Sequence, residues 1–159
     1  MLRPIGTKKN SKTEAAFAIV ASKYNGRYVD SMLRAARAEL KRAGAKVKVV
    51  RVPGAFEIPS VAATLSTLEP RPSAIICLGV IFQGQTSHAQ HIGWGVTHAL
   101  AQIQVQHKLP VIHAVFVFEK EEHARVRCLG RKHNRGREAA QTALEMARVF
   151  AALTAPELG

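Results

Sequence analysis

Ala74-Ile75-Ile76-Cys77-Leu78-Gly79-Val80-Ile81-Phe82 is an unbroken apolar run, and it stops at Gln83-Gly84-Gln85-Thr86-Ser87-His88. The run has strand length, with apolar residues on both faces, which predicts a strand of a covered parallel sheet. The polar segment after it opens a long helix predicted over His88 to His107. In an open α/β sheet, ligands bind at such strand ends. This one brings backbone N–H groups, two hydroxyls and an imidazole to the junction. The N–H groups of a helix start favour an anion such as phosphate, and a histidine moves protons near neutral pH.

Working outward, the same alternation repeats. Phe17 to Ala21 reads as a short buried strand, and Ser22 to Gly26 as a polar turn. From Tyr28 to Ala43, Val29, Met32, Leu33, Ala36 and Leu40 recur at helical spacing, and Gly44 ends the helix. Val47 to Val52 is a β-branched strand closed by Pro53-Gly54. Ile58 to Leu68 reads as a helix with Pro59 in its first turn. Pro110 to Phe118 is the fourth strand, and Glu119 to Arg127 is weakly helical. Gly130 to Gly136 reads as a loop, and Arg137 to Leu153 as the last helix. The order βαβαβαβαα implies a three-layer α/β/α sandwich on a four-stranded parallel sheet. Residues 1–14 are expected to be a mobile basic tail and residues 15–159 a single domain.

Composition narrows the function classes. The formal net charge of +12 suits nucleic acid, an acidic membrane surface or a phosphorylated substrate. The densest basic block is Arg125, Arg127, Arg131, Lys132, Arg135 and Arg137. It lacks interleaved aromatics, so nucleic-acid binding is not expected. No apolar stretch is long enough for a membrane span. The basic, polar first residues lack the apolar core of a secretory signal, so a cytoplasmic location is expected. The two cysteines are expected to be unpaired, Cys77 as a small core residue and Cys128 with its thiolate favoured by neighbouring arginines. His88, His91 and His98 lie near one helical face, but no carboxylate stands beside them at suitable spacing, so neither a metal nor an organic cofactor is expected.

All four strand ends of such a sheet point the same way. They carry Ser22-Lys23-Tyr24-Asn25, then Pro53-Gly54-Ala55-Phe56-Glu57, then Gly84-Gln85-Thr86-Ser87-His88, then Val117-Phe118-Glu119. An aromatic ring, a carboxylate, a histidine and an anion nest thus share one rim. With Val52 to Pro59, Leu78-Gly79, Arg127, Asn134-Arg135-Gly136 and Ala143 to Ala147, this pattern resembles the lumazine synthases over nearly the whole chain from Ala18 onward.

The resemblance implies a flavodoxin-like fold. It also implies condensation of 5-amino-6-ribitylaminouracil with 3,4-dihydroxy-2-butanone 4-phosphate, the penultimate step of riboflavin synthesis. On it, Tyr24 and Asn25 fall beside a flat pyrimidine, and Glu57 with the backbone of Ala55 and Phe56 meets the ribityl chain. Main-chain groups at Val80 and Ile81 meet the pyrimidine edge. Gly84, Gln85 and Thr86 with Arg127 and Arg135 hold the phosphate, and His88 shuttles protons. The resemblance implies a homopentamer with sites between neighbours, some members forming sixty-subunit shells, and His113, Arg127 and Arg135 would then come from the adjacent chain. Thr86 or Ser87 is also a candidate helix cap. The chain departs from the family pattern at Gln90, where an acid is usual, at His91 and His113, where aromatics are usual, at Arg135, usually lysine, and at Phe116 to Phe118. These departures leave an alternative: a non-catalytic lumazine- or flavin-binding or scaffold relative.

Overall fold

The computed structural model describes residues 12–157, so residues 1–11 of the expected basic tail lie outside the described residues. Thr13 N–H donates to Ala43 O at 2.8 Å, so the chain is already tied to the domain there. The elements are β1 (Ala16–Ser22), α1 (Gly26–Arg42), β2 (Lys46–Val52), a 3-10 turn (Ala55–Glu57), α2 (Ile58–Leu65), β3 (Ala74–Phe82), α3 (His88–His107), β4 (Val111–Phe118), α4 (Glu121–Ala124), a π-helical turn (Arg125–Leu129) and α5 (Arg135–Thr154). All strand pairs are parallel, in the order β2-β1-β3-β4, the flavodoxin-like arrangement.

The apolar run at β3 is buried on both faces because a separate core covers each. Ile76, Leu78 and Val80 pack with Phe17, Ile19 and Ala21 under α1 and α5. Ile75 and Cys77 pack with Ala18 and Val20 under α2 and α3. Each fully buried Ile or Leu here contributes roughly 1.5–3 kcal/mol by leaving water. Gly136 lets α5 meet α1: a Cβ on it would lie 2.0 Å from Met32 O.

Helix ends differ from the sequence expectation at α1, which begins at Gly26, two residues before the expected Tyr28, and at α2 and α5. α2 ends at Leu65, because the Ser66 hydroxyl donates to Ala62 O and the Thr67 hydroxyl to Thr64 O. Such side-chain bonds give the backbone an alternative to continuing the helix. α5 begins at Arg135, two residues earlier than expected, because buried Asn134 accepts from Gly136 N–H at 2.9 Å and caps the first turn.

This topology selects a crevice. The connection from β1 runs along one face to β2, while the connection from β3 runs along the opposite face to β4. Between the carboxyl ends of β1 and β3 the chain therefore diverges, leaving a gap where open α/β sheets hold ligands.

Candidate active site

Asn25 shapes the β1 side of that gap. It sits in the left-handed region at φ 56° and ψ 39°, which Asn tolerates better than most residues. Its carbonyl accepts from Tyr28 N–H, while its side-chain amide donates across the gap to Val80 O at 2.7 Å. The preceding residue, Tyr24, is 68% exposed, so its ring is a surface platform and not a core filler. The ring lies on Gly54, where a Cβ would be 2.9 Å from Tyr24 Cδ2. Glu57 Oε2 accepts from Gly54 N–H at 2.9 Å, so this carboxylate fixes the turn after β2.

Tyr24, Asn25, Gly54, Ala55, Phe56, Glu57, Val80, Ile81, Phe82, His88, His91 and Ile92 line one cavity of about 790 Å³. That volume suits a small-molecule ligand. The predicted aromatic, carboxylate and histidine are thus brought together, along with the backbone at Ala55, Phe56, Val80 and Ile81. Gly54, Phe82, His91 and Ile92 line the cavity beyond the residues predicted to bind substrate. Helical spacing was the signal for the last two, since residues 91 and 92 share a face with His88.

The β3–α3 junction is open. Gly84 to His88 are exposed, and a Cβ on Gly84 would meet nothing within 4 Å. The Gln83 side-chain amide donates to Thr86 O at 2.8 Å and shapes the loop. Thr86 Oγ1 accepts from His88 N–H at 3.4 Å, a weak cap, while Ser87 Oγ instead contacts His91 Nε2 at 3.1 Å. The first N–H groups of α3 face outward from the helix start, as an anion requires. Gly84, Gln85 and Thr86 do not themselves line the cavity, although His88 at the end of their loop does.

The remaining predicted residues lie elsewhere on the same chain. His113 and Arg135 line a second cavity of about 400 Å³ with Phe116, Glu138 and Met146. His113 belongs to the early part of β4, paired with Cys77 and well before the strand end, which keeps it from the first cavity. Val115 N–H donates to His113 Nδ1 at 3.2 Å, and the Thr97 hydroxyl, whose proton goes to Gly93 O, contacts His113 Nε2 at 2.7 Å. This network assigns the neutral ring with its proton on Nε2. Burial also pushes the His113 pKa down, favouring that form.

The basic block is partly neutralised. Arg135 pairs with Glu138 at 2.5 Å, and Arg125 stands 3.7 Å from Glu121, which also accepts from the Tyr28 hydroxyl. That bond holds Glu121 below the usual carboxylate range, and it raises Tyr28. Arg127 is exposed on the π-helical turn, and no acid pairs with it among the described residues. Cys128 reverses its sequence expectation. Burial pushes its thiol up to about 11, and the opposing pull of Arg135 and Arg127 does not overcome it. Cys128 and Cys77 are both buried free thiols. Among the described residues no helix is long and apolar enough to cross a membrane.

The family model for 6,7-dimethyl-8-ribityllumazine synthase matches residues 14–151. A protein of that name from Stenotrophomonas maltophilia (strain R551-3) is 38% identical over 83% of this chain and 86% of its own length. Another, from Xanthomonas euvesicatoria pv. vesicatoria (strain 85-10), is 38% identical over 84% of this chain and 88% of its own. Both relatives are matched over most of their length, and the region matched by the family model contains every residue that lines the Tyr24–His88 cavity. The chain therefore belongs to the 6,7-dimethyl-8-ribityllumazine synthase family.

Proposed function

We propose that this protein condenses 5-amino-6-ribitylaminouracil with 3,4-dihydroxy-2-butanone 4-phosphate to give 6,7-dimethyl-8-ribityllumazine, releasing phosphate and water. The observation that carries the reading is the convergence of Tyr24, Glu57 and His88 on one cavity in a chain of this family. Tyr24 offers a face to the pyrimidine, and its exposure leaves that face free for a ligand. Glu57 and the backbone at Ala55 and Phe56 serve the ribityl hydroxyls, with Val80 and Ile81 at the pyrimidine edge. Val80 O already accepts from Asn25 and keeps a second lone pair for a ligand donor.

The phosphate belongs at Gly84, Gln85 and Thr86, where the α3 start and the exposed loop favour an anion. Arg127 and Arg135 supply cations, and with His113 they come from a neighbouring subunit. The separation of the His113–Arg135 cavity from the His88 cavity within one chain supports that assignment. The assembly is a homopentamer, with a sixty-subunit shell as its larger form, and the site functions in the cytoplasm without metal or organic cofactor. His88 moves protons while the site holds the two substrates together, which supplies much of the rate.

The test is a spectroscopic assay of lumazine formation by the purified protein, run beside light scattering. Turnover above the enzyme-free rate by a pentamer or larger is expected. A protein that binds lumazine yet makes none would replace this reading with a ligand-binding or scaffold role.

A further inference from the structure

The cavity holds two imidazoles. His88 and His91 both line it, and they are neighbours three residues apart on α3. Their surroundings differ. The His88 ring makes no hydrogen bond among the described residues, and the exposed Gln90 beside it cannot act as an acid. His91 is anchored, with Nε2 lying 3.1 Å from Oγ of Ser87, whose hydroxyl makes no capping bond to the helix backbone. With Nε2 engaged, its other nitrogen, Nδ1, remains for chemistry. The hydroxyl accepts or donates according to which ring nitrogen carries the proton, so the contact survives either proton position.

We propose that His91, oriented by Ser87, is a second acid–base group of this site and works in tandem with His88. The inference rests on the condensation assigned above. Imine formation passes through a carbinolamine, in which the former ketone carbon carries a hydroxyl and the new nitrogen substituent. To collapse, the carbon–oxygen bond breaks, and the hydroxyl takes a proton from His91 and leaves as water. The nitrogen's electron pair forms the carbon–nitrogen double bond, and its N–H proton passes to His88. Exchange with solvent returns the proton from His88 and reprotonates His91, so no oxidant, reductant or further reactant is needed. Ring closure expels water again and calls for the same division of labour. A single imidazole must serve as base and acid in turn, whereas two adjacent ones act in the same step.

The other titratable side chains facing the cavity are Tyr24 after β1 and Glu57 on the 3-10 turn. From β4, His113 meets α3 further along, at Thr97. Each of these stays in place when residue 91 alone is changed.

The experiment measures kcat, KM and the pH dependence of kcat for wild type, His91→Phe, His91→Gln and Ser87→Ala, with both substrates. His91→Phe and His91→Gln are expected to lower kcat about tenfold or more, leave KM within about threefold and remove one limb of the kcat–pH profile. Ser87→Ala keeps the imidazole but frees it, so kcat falls less and that limb moves along the pH axis instead of vanishing. Thermal unfolding and circular dichroism check that each variant folds, which the exposure of residue 91 favours. Folded His91 variants with wild-type kcat and an unchanged pH profile overturn the proposal. So does a loss confined to KM, which marks His91 as a binding contact only. Absence of lumazine formation by the wild type instead overturns the condensation itself, and this inference with it.

Discussion

Gly54→Ala isolates what the platform at Tyr24 and Glu57 does. The backbone there is extended, at φ −128° and ψ 177°, so alanine adds no backbone strain. Its Cβ would stand 2.9 Å from Glu57 Oε2 and 2.9 and 3.1 Å from Tyr24 Cδ2 and Cε2. Both neighbours are ends of exposed side chains, so they retreat by about 0.5 Å or more to reach ordinary contact. The fold loses little, because reduced freedom of the unfolded chain returns roughly 0.4–1 kcal/mol. The ligand loses more. A misplaced stack forfeits about 0.5–1.5 kcal/mol, which is roughly a two- to twelvefold rise in Kd. Gly136→Ala is the control: its Cβ would meet Met32 O at 2.0 Å and Met32 C at 2.5 Å, backbone against backbone. Neither helix gives way cheaply, and a cost of about 3 kcal/mol or more is expected, lowering Tm by about 6–12 °C. Calorimetric titration with 6,7-dimethyl-8-ribityllumazine and thermal unfolding at one fixed protein concentration read both effects. Unchanged Kd in Gly54→Ala, or a Tm loss matching that of Gly136→Ala, would refute the reasoning.

Three further outcomes follow from named groups. His88→Ala is expected to lower kcat about a hundredfold while remaining above the enzyme-free rate, because substrate positioning persists; full wild-type turnover would remove His88 from the chemistry. Cys128 is protonated in both folded and unfolded chains below pH 9 and stays so in the folded state up to about 11. Between these values the unfolded chain releases the proton first, so stability falls as pH rises, by at most about 1.4 kcal/mol per pH unit from this group. Urea titrations of wild type and Cys128→Ala should converge in that window, and a pH-independent difference would contradict the burial argument. For His113, nitrogen NMR should show the Nε2–H tautomer and a titration midpoint below 6.5, the ordinary value from which burial lowers it; a midpoint above that value would mean that His113 is not desolvated.

The sequence carried the fold because its strongest signals were local. β3 and α3 have the boundaries that the apolar run and the helical spacing predicted. Of the misplaced helix ends, those at α2 and α5 turned on side-chain bonds from Ser66, Thr67 and Asn134 that compete with or complete a helix. The weakly helical stretch before Gly130 is a short helix passing into a π-helical turn, a geometry without a periodicity of its own. At the site, residue types were legible and contacts between distant segments were not. Nothing local links Asn25 to Val80 or Thr97 to His113. Cys128 shows the same limit in electrostatics: arginines adjacent in sequence predicted a favoured thiolate, but the depth at which the chain buries the sulfur decides the sign.

The most direct test of the central claim is lumazine formation by the wild-type protein supplied with both substrates, measured alongside phosphate release. The account predicts product above the enzyme-free rate, with one phosphate released per lumazine. Lumazine bound at the Tyr24–His88 cavity with no product formed from saturating substrates would contradict it.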